Sequence, residues 1–342
     1  MIRKAIKFIG IALLLYLLFC LATPFIPSLK ERSIKNQIHY LSKILDGGYD
    51  NTLQQRFPEG KLFSNALLAL SVIEYCDSNQ KSDTEYAEIV DHCVMRIQSQ
   101  RATQNFNKDL NPEYGIFYCG WSNLVYSRYL SSEIFAHSQV KAEVIAESQK
   151  IVNEITQIQC DSSRILRSYS GGSWPADNLI AISSLKDETL KRNWIESLLE
   201  RSDHKSGLIH HSDGEPSIIR GSSSALLTYC LDQSGYEKIA EYNANFQSIF
   251  IDTYLGIELV KENADGSNRM DYDSGPVVFG YGASATIMNI KAQASLGNSR
   301  SKVTWAAMNT IAAPINFCGK KFYLLKQEPM LDLFLLWGCV EL

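Results

Sequence analysis

The sequence predicts an all-α fold, an (α/α)6 toroid of six helical hairpins with short β-hairpins on one face, preceded by an N-terminal transmembrane helix. Three observations carry this. After residue 28 the chain reads as one helical apolar pattern after another, separated by short polar turns. The five central pairs each join a first segment rich in small and apolar residues (SNALLALSVIEY, GWSNLVYSRYL, NLIAISSL, SSSALLTYCL, GASATIMNIKAQASL) to a more charged second one. A helix apolar on most sides belongs inside and one with a polar face outside, so the alternation describes two concentric rings. The turns within each pair are also short, while the connections into the apolar helices are long and carry Gly, Trp, Asp and Arg. Solenoids of tandem helical repeats are the main competing architecture, but no fixed period or signature residue supports them.

The first element is a span. Arg3, Lys4 and Lys7 precede an uncharged run over residues 8–27, about long enough to cross a hydrocarbon core of roughly 30 Å and so to meet the lipid bilayer. Positive charge ahead of it favours a cytoplasmic N-terminus, which places the remainder outside the cytoplasmic (inner) membrane as a single-pass protein. Residues 1–28 are thus read as a signal anchor and residues 29–342 as the toroid. Cys20-Leu21-Ala22 keeps a second reading open, a signal peptide cleaved after Ala22 that would leave a secreted protein.

The helices then follow in order. Ser28–Leu45 carries Ile34, Ile38, Leu41, Ile44 and Leu45 at helical spacing and stops at Gly47-Gly48. Leu62–Tyr75 pairs with Glu85–Gln100 across Asp77-Ser78-Asn79, Gly120–Phe135 with Gln139–Ile158, and Pro175–Leu185 with Glu188–Leu199. Ser222–Leu231 pairs with Tyr236–Tyr254, and Gly275–Leu296 with Ser301–Ala312. The amphipathic first helix and the apolar last one, Glu328–Val340, remain to make the sixth hairpin. Short extended pieces are expected at Gly207–His211 with Ser217–Arg220, and at Lys320–Leu325.

Composition bounds the function. With 45% hydrophobic, 11% aromatic and 20% charged residues the chain has material for a packed core and no disorder signature. A net charge of -4, without a basic cluster interleaved with aromatics, argues against nucleic acid as a partner. The 8 cysteines lack the CxxC pairs of a zinc site. Cys76, Cys93, Cys230 and Cys339 fall in apolar helical patterns as buried thiols, and Cys119 with Cys160 would stand near the same end of one hairpin, close enough to consider a bridge. No HExxH, carboxylate triad, GxSxG elbow, P-loop or dinucleotide fingerprint occurs, so no metal and no cofactor is expected. The oligomeric state is left open.

Four segments entering apolar helices carry the candidate chemistry. Asp177 and Asp273 are the candidate acid and base, because two carboxylates in unlike environments divide those roles; helix capping is the competing explanation for each. Tyr118, Trp121 and Trp174 are candidate binding surfaces for a ligand, with Asn178 and Asp271 beside them. Of His210 and His211, opposite in direction on an extended strand, at most one faces the cavity, and His211 is the candidate. Arg220, among small residues, is placed to bind an anionic or hydroxyl-rich group.

The segments YCGWSNLVYSRYL, DNLIAISSL and DYDSGPVVFGYGASATIMNIKAQASLGN resemble the linalool dehydratase-isomerase type of α/α toroid, from about Tyr114 to the C-terminus. The resemblance implies a periplasmic toroid of the six-hairpin superfamily. It also marks departures: Trp121 stands where that family has a histidine, and Ser168 and Asp177 stand where it has reactive cysteines, so dehydration of a terpene alcohol by the same groups does not carry over. The sequence therefore leads to an acid/base enzyme, lyase or hydrolase, for a small-molecule or glycan ligand bearing hydroxyls. The alternative is a non-catalytic, membrane-tethered binding or scaffold protein.

Overall fold

The computed structural model of the protein describes residues 2–161, 165–214, 217–271, 274–324 and 329–342. It is mostly helical, with small two-stranded sheets. In chain order the elements are α1 (Ile2–Ala22), α2 (Pro27–Asp46), α3 (Tyr49–Arg56), α4 (Gly60–Asn79), α5 (Thr84–Ile97), α6 (Gln100–Thr103), α7 (Gly115–Ser131), α8 (Lys141–Asp161), α9 (Pro175–Ser183), α10 (Glu188–Leu199), α11 (Gly221–Gln233) and α12 (Ile239–Phe250). They continue with β1 (Ile251–Tyr254), β2 (Ile257–Val260), β3 (Val277–Val278), β4 (Tyr281–Gly282), α13 (Ala283–Ser295), α14 (Arg300–Ile311), β5 (Pro314–Phe317), β6 (Lys320–Tyr323) and α15 (Pro329–Val340).

Helix α1 is long and apolar enough to cross a membrane over Ile6–Phe25, and most of that stretch is exposed on the protein. Local chemistry sets other helix boundaries. Pro27 opens α2 and Pro175 opens α9, where the fixed proline φ suits a first turn and the missing N–H costs nothing. Asp187 caps α10 by accepting from the Thr189 and Leu190 N–H groups, both at 3.0 Å.

The apolar helices pack on one another in sequence order: α4 on α7, α7 on α9, α9 on α11, α11 on α13, α13 on α15, and α15 back on α4. Each also contacts a more polar partner: α5, α8, α10, α12 and α14 pair with the helices that precede them, and α2 pairs with α15. Helix α4 shows why it lies inside. From Leu62 to Cys76 nearly every side chain is buried, including Ser64, Asn65 and Ser71, whose polar groups bond the preceding helical turn.

Several expected boundaries move. Asp77-Ser78-Asn79 does not form the turn; helix α4 runs through it, Asn79 donates to the Tyr75 carbonyl at 2.7 Å, and the helix ends at Gln80 in the left-handed region. The expected helices Tyr236–Tyr254 and Gly275–Leu296 both give up a turn or more to hairpins. In the first, Ile251-Asp-Thr-Tyr and Ile257-Glu-Leu-Val pair antiparallel around Leu255 and Gly256, both at positive φ, a tight turn that matches strand twist. In the second, β-branched Val277 and Val278 pair with Gly282 and Tyr281 before α13 begins. The strand at Lys320 pairs with β5. Among the described residues Gly207–His211 and Ser217–Arg220 form no regular hairpin: their backbones share one bond, His211 N to Ile218 O at 2.7 Å, while Ile209 bridges Ser202 and Arg220 bridges Asn263.

Candidate functional site

The richest polar constellation grows from the crossing of two connections. Arg220, at the entrance of α11, pairs with Asn263 on the strand leaving β2, and the Gly221 N–H donates to the Glu262 carbonyl at 2.9 Å. Only glycine fits at 221, since a Cβ there would lie 1.9 Å from the Lys261 carbonyl oxygen. This close approach sets the Arg220 side chain against Glu262.

Arg220 is 5% exposed and each of its guanidinium nitrogens has a partner. Nε donates to Glu262 Oε1 at 2.9 Å, and Nη2 reaches the same oxygen at 2.6 Å. On the opposite edge Nη1 and Nη2 grip both oxygens of Asp271, the latter at 3.0 Å. The second Nη1 hydrogen points to His211 Nε2 at 3.2 Å. Ser222 Oγ adds a bond to Glu262 Oε1 at 2.8 Å. The Asp271 turn is held by Ser274, whose N–H donates to Asp271 Oδ1 at 3.0 Å.

The two carboxylates differ in setting. Glu262 is 0% exposed and its Oε2 has no hydrogen-bond partner among the described residues, whereas the Asp271 side chain is 49% exposed. Burial pushes the Glu262 carboxyl up from its ordinary range, against the opposing pull of Arg220 and Ser222. Burial, then the Arg220 charge, pushes His211 down to about 4. His211 is thus neutral, and its tautomer follows from its neighbours. Nε2 faces an Arg220 donor and must accept, so Nδ1 carries the hydrogen and donates to Ser223 Oγ at 2.5 Å. That direction matters, because a histidine that donates to a serine does not activate it as a nucleophile. The site is suited to carboxylate proton exchange and to gripping a polar group, and a serine nucleophile activated by His211 does not fit it.

Of the residues singled out in the sequence, the structure brings His211, Arg220 and Asp271 together. Asp273 lies outside the described residues. Asp177 is buried in the first turn of α9 and stands apart from the hydrogen bonds of Arg220; burial raises the Cys230 thiol of α11, and the Asp177 charge adds to that rise. Asn178 is fully buried, its oxygen accepting from Leu166 N at 2.8 Å and its NH2 donating to the carbonyls of Leu166 and Trp174, so it fastens the connection into α9. Tyr118 donates to the Ile97 carbonyl at 3.2 Å, and Trp174 packs edge-on against Tyr169. Trp121 is 1% exposed and set edge-on to Phe63 and Trp337. Cys119 is a free thiol 3.2 Å from the Glu113 carbonyl, and the Cys160 side chain lies outside the described residues.

Glu262 and Ser223 escaped the sequence reading as site residues, and Ser222 entered it only as the residue where the segment meets its helix. Lys261-Glu262-Asn263 looks like a solvated polar turn, and the burial of Arg220, which calls for a counter-charge, is visible only in the structure. A second buried cation, Lys291, pairs with Glu74 and Glu341 and lies 4.9 Å from the Trp337 ring centre, joining α4, α13 and the end of the chain. No protein-family profile matches the chain, and no curated protein matches it.

Proposed function

We propose that the chain is a membrane-anchored (α/α)6 toroid with an extracytoplasmic domain, and that it is an acid/base enzyme, a lyase or hydrolase, for a small hydroxylated molecule or a glycan fragment. The cyclic order of contacts among α4, α7, α9, α11, α13 and α15, each backed by a more polar helix, supports the toroid. The resemblance to linalool dehydratase-isomerase toroids accords with it.

One observation carries the chemistry: a buried arginine shared between a sealed carboxyl, Glu262, and a half-open one, Asp271. Because every guanidinium nitrogen of Arg220 has a partner, a ligand reaches it by replacing the exposed one, Asp271. A substrate hydroxyl entering there bonds Arg220 in place of Asp271, and the displaced carboxylate takes or returns the hydroxyl proton. Glu262, fixed by Ser222 and Arg220, holds the guanidinium in position throughout. Unlike environments for two carboxyls around one cation are the arrangement that separates such roles.

The test is a thermal-shift and product screen of the detergent-solubilised full chain against sugars, uronates and terpenoids. Asp271→Asn is expected to abolish turnover of any substrate found, with the fold retained, and Arg220→Lys to raise KM, since a lysine cannot make the bidentate grip. Unchanged turnover in Asp271→Asn overturns the assignment. A specific observation favours the second reading, a non-catalytic binding or scaffold protein: Phe63, Trp121, Phe334 and Trp337 pack against one another where the apolar helices converge. Binding without product formation across the screen selects it.

A further inference from the structure

Helix α1 does not stand clear of the rest of the chain. Its last turns lie along α14, with Cys20 buried, and the turn that follows (Thr23–Phe25) packs between α14 and α2. The direction is fixed at two points. Tyr16 donates its hydroxyl to the carbonyl of Pro314, just past the C-terminal end of α14, at 3.0 Å. The Thr23–Phe25 turn, further along the chain, packs on α14 itself. Helix α1 therefore runs antiparallel to α14, and the residues before Tyr16 continue past the Pro314 end of α14.

This creates a length problem for the span. Of the apolar window Ile6–Phe25, the part from Tyr16 onward is level with α14 and with Pro314, where β5 begins. The part from Ile6 to Tyr16 rises only about 15 Å at 1.5 Å per residue, half of the roughly 30 Å a bilayer core requires. Exposed apolar side chains gather around the Pro314 end of α14, where Tyr16 is held and Leu324 N–H donates to the Ala313 carbonyl. Ile311 at the end of α14 is 64% exposed, Phe317 at the hairpin tip 73% and Leu324 after β6 61%. Lys320 is exposed beside Phe317, and a lysine stem can lie along apolar surface while its ammonium reaches up to anionic headgroups.

We infer that this flank, Ile311, Phe317 and Leu324 with the tip of the β5–β6 hairpin, is seated in the lipid bilayer beside α1, so that the domain is partly immersed and not held off on a tether. The inference rests on the reading of α1 as a membrane span. It adds a second, domain-borne contact with the same lipid, continuous with the first through the Tyr16 to Pro314 hydrogen bond. Immersion by the stretch from Tyr16 to Ala22, about 9 Å, supplies much of the missing length. It also covers large side chains that would otherwise face water.

Cys318 at the hairpin tip is exposed, while Cys20, Cys76, Cys93, Cys119, Cys230 and Cys339 are buried, so it provides a native probe position. The full chain, in a Cys160→Ser background, is labelled at Cys318 with an environment-sensitive fluorophore. It is then reconstituted into vesicles of phosphatidylcholine and phosphatidylglycerol. Blue-shifted emission is expected, quenched by lipids with a nitroxide near the headgroup and protected from aqueous iodide. Replacing Ile311 and Phe317 together by Ser should return the probe to water while the chain stays in the membrane through alkaline carbonate extraction. A carbonate-resistant chain whose Cys318 probe is quenched by iodide overturns the inference and leaves the span standing. A probe shielded from both quenchers is covered by protein, such as a second copy of this chain, and also overturns it. Extraction of the wild-type chain by carbonate removes the span reading and the inference with it.

Discussion

Replacing His211 by Gln tests the electrostatics of the cluster most directly. His211 accepts from Arg220 at Nε2 and donates from Nδ1 to Ser223. Glutamine keeps an oxygen able to accept near the Nε2 position and cannot titrate. In the folded protein His211 is held down to about 4 from its ordinary 6.5 by burial and by Arg220, partly offset by Asp271. A depressed folded pKa means that the unfolded chain takes up the proton first. The contribution to stability is present above pH 6.5 and is lost as pH falls toward 4. The difference corresponds to about 3 kcal/mol by pH 4. Glu262 acts in the opposite sense: its folded pKa is raised, so its contribution is present at low pH and lost as pH rises through the raised value. Comparison with the variant cancels that shared term. At pH 7.5 the variant should be less stable by about 1 kcal/mol for the lost bond to Ser223. The curves should cross between about pH 6 and 5, and by pH 4 the variant should be the more stable by about 2 kcal/mol. Urea unfolding midpoints from pH 7.5 to 4, read by tryptophan fluorescence and circular dichroism, supply the comparison. Parallel pH profiles for the two proteins would refute the arrangement, because they would mean that His211 does not titrate against Arg220.

Two further outcomes follow from packing. Trp337→Ala removes a side chain that is 1% exposed, packs on Trp121 and Tyr229 and donates to Glu74, and should cost about 3 to 5 kcal/mol in denaturant unfolding; a change below about 1 kcal/mol would show that the convergence of apolar helices is not where the fold is held. Gly221→Ala places a methyl 1.9 Å from the Lys261 carbonyl oxygen and should destabilise by about 1 to 3 kcal/mol while releasing the Arg220 contacts; unchanged stability would mean that the two connections do not cross as described.

What the sequence made legible follows from what each signal measures. Helical periodicity reports burial of a face, and buried faces dominate here, so α2, α10, α14 and α15 lie within about two residues of their expected limits. The misses fall where tight turns compete with propensity. Leu255-Gly256 and Phe279-Gly280 lie in segments that also satisfy a helical apolar pattern, and their positive φ values, which divide strand from strand, have no counterpart in periodicity. Helices α3 and α6 are too short for periodicity to detect. Arg220, Asp271 and His211 were readable as unusual residues at the entrance to an apolar helix. Glu262 was not, because its role arises from a strand crossing at Gly221, far away in sequence, which carries a charged residue into the interior. That burial has an energetic consequence. A carboxyl sealed from water, with one oxygen lacking a partner among the described residues, is costly unless the arginine beside it is held in place. Asp271, Ser222 and His211 converge on the same pair, and each supplies a hydrogen bond that would be lost if either connection moved. The cluster is thus a fastening for the entrance to α11 as well as the candidate site, and activity and stability should respond together at Glu262 but separate at the exposed Asp271.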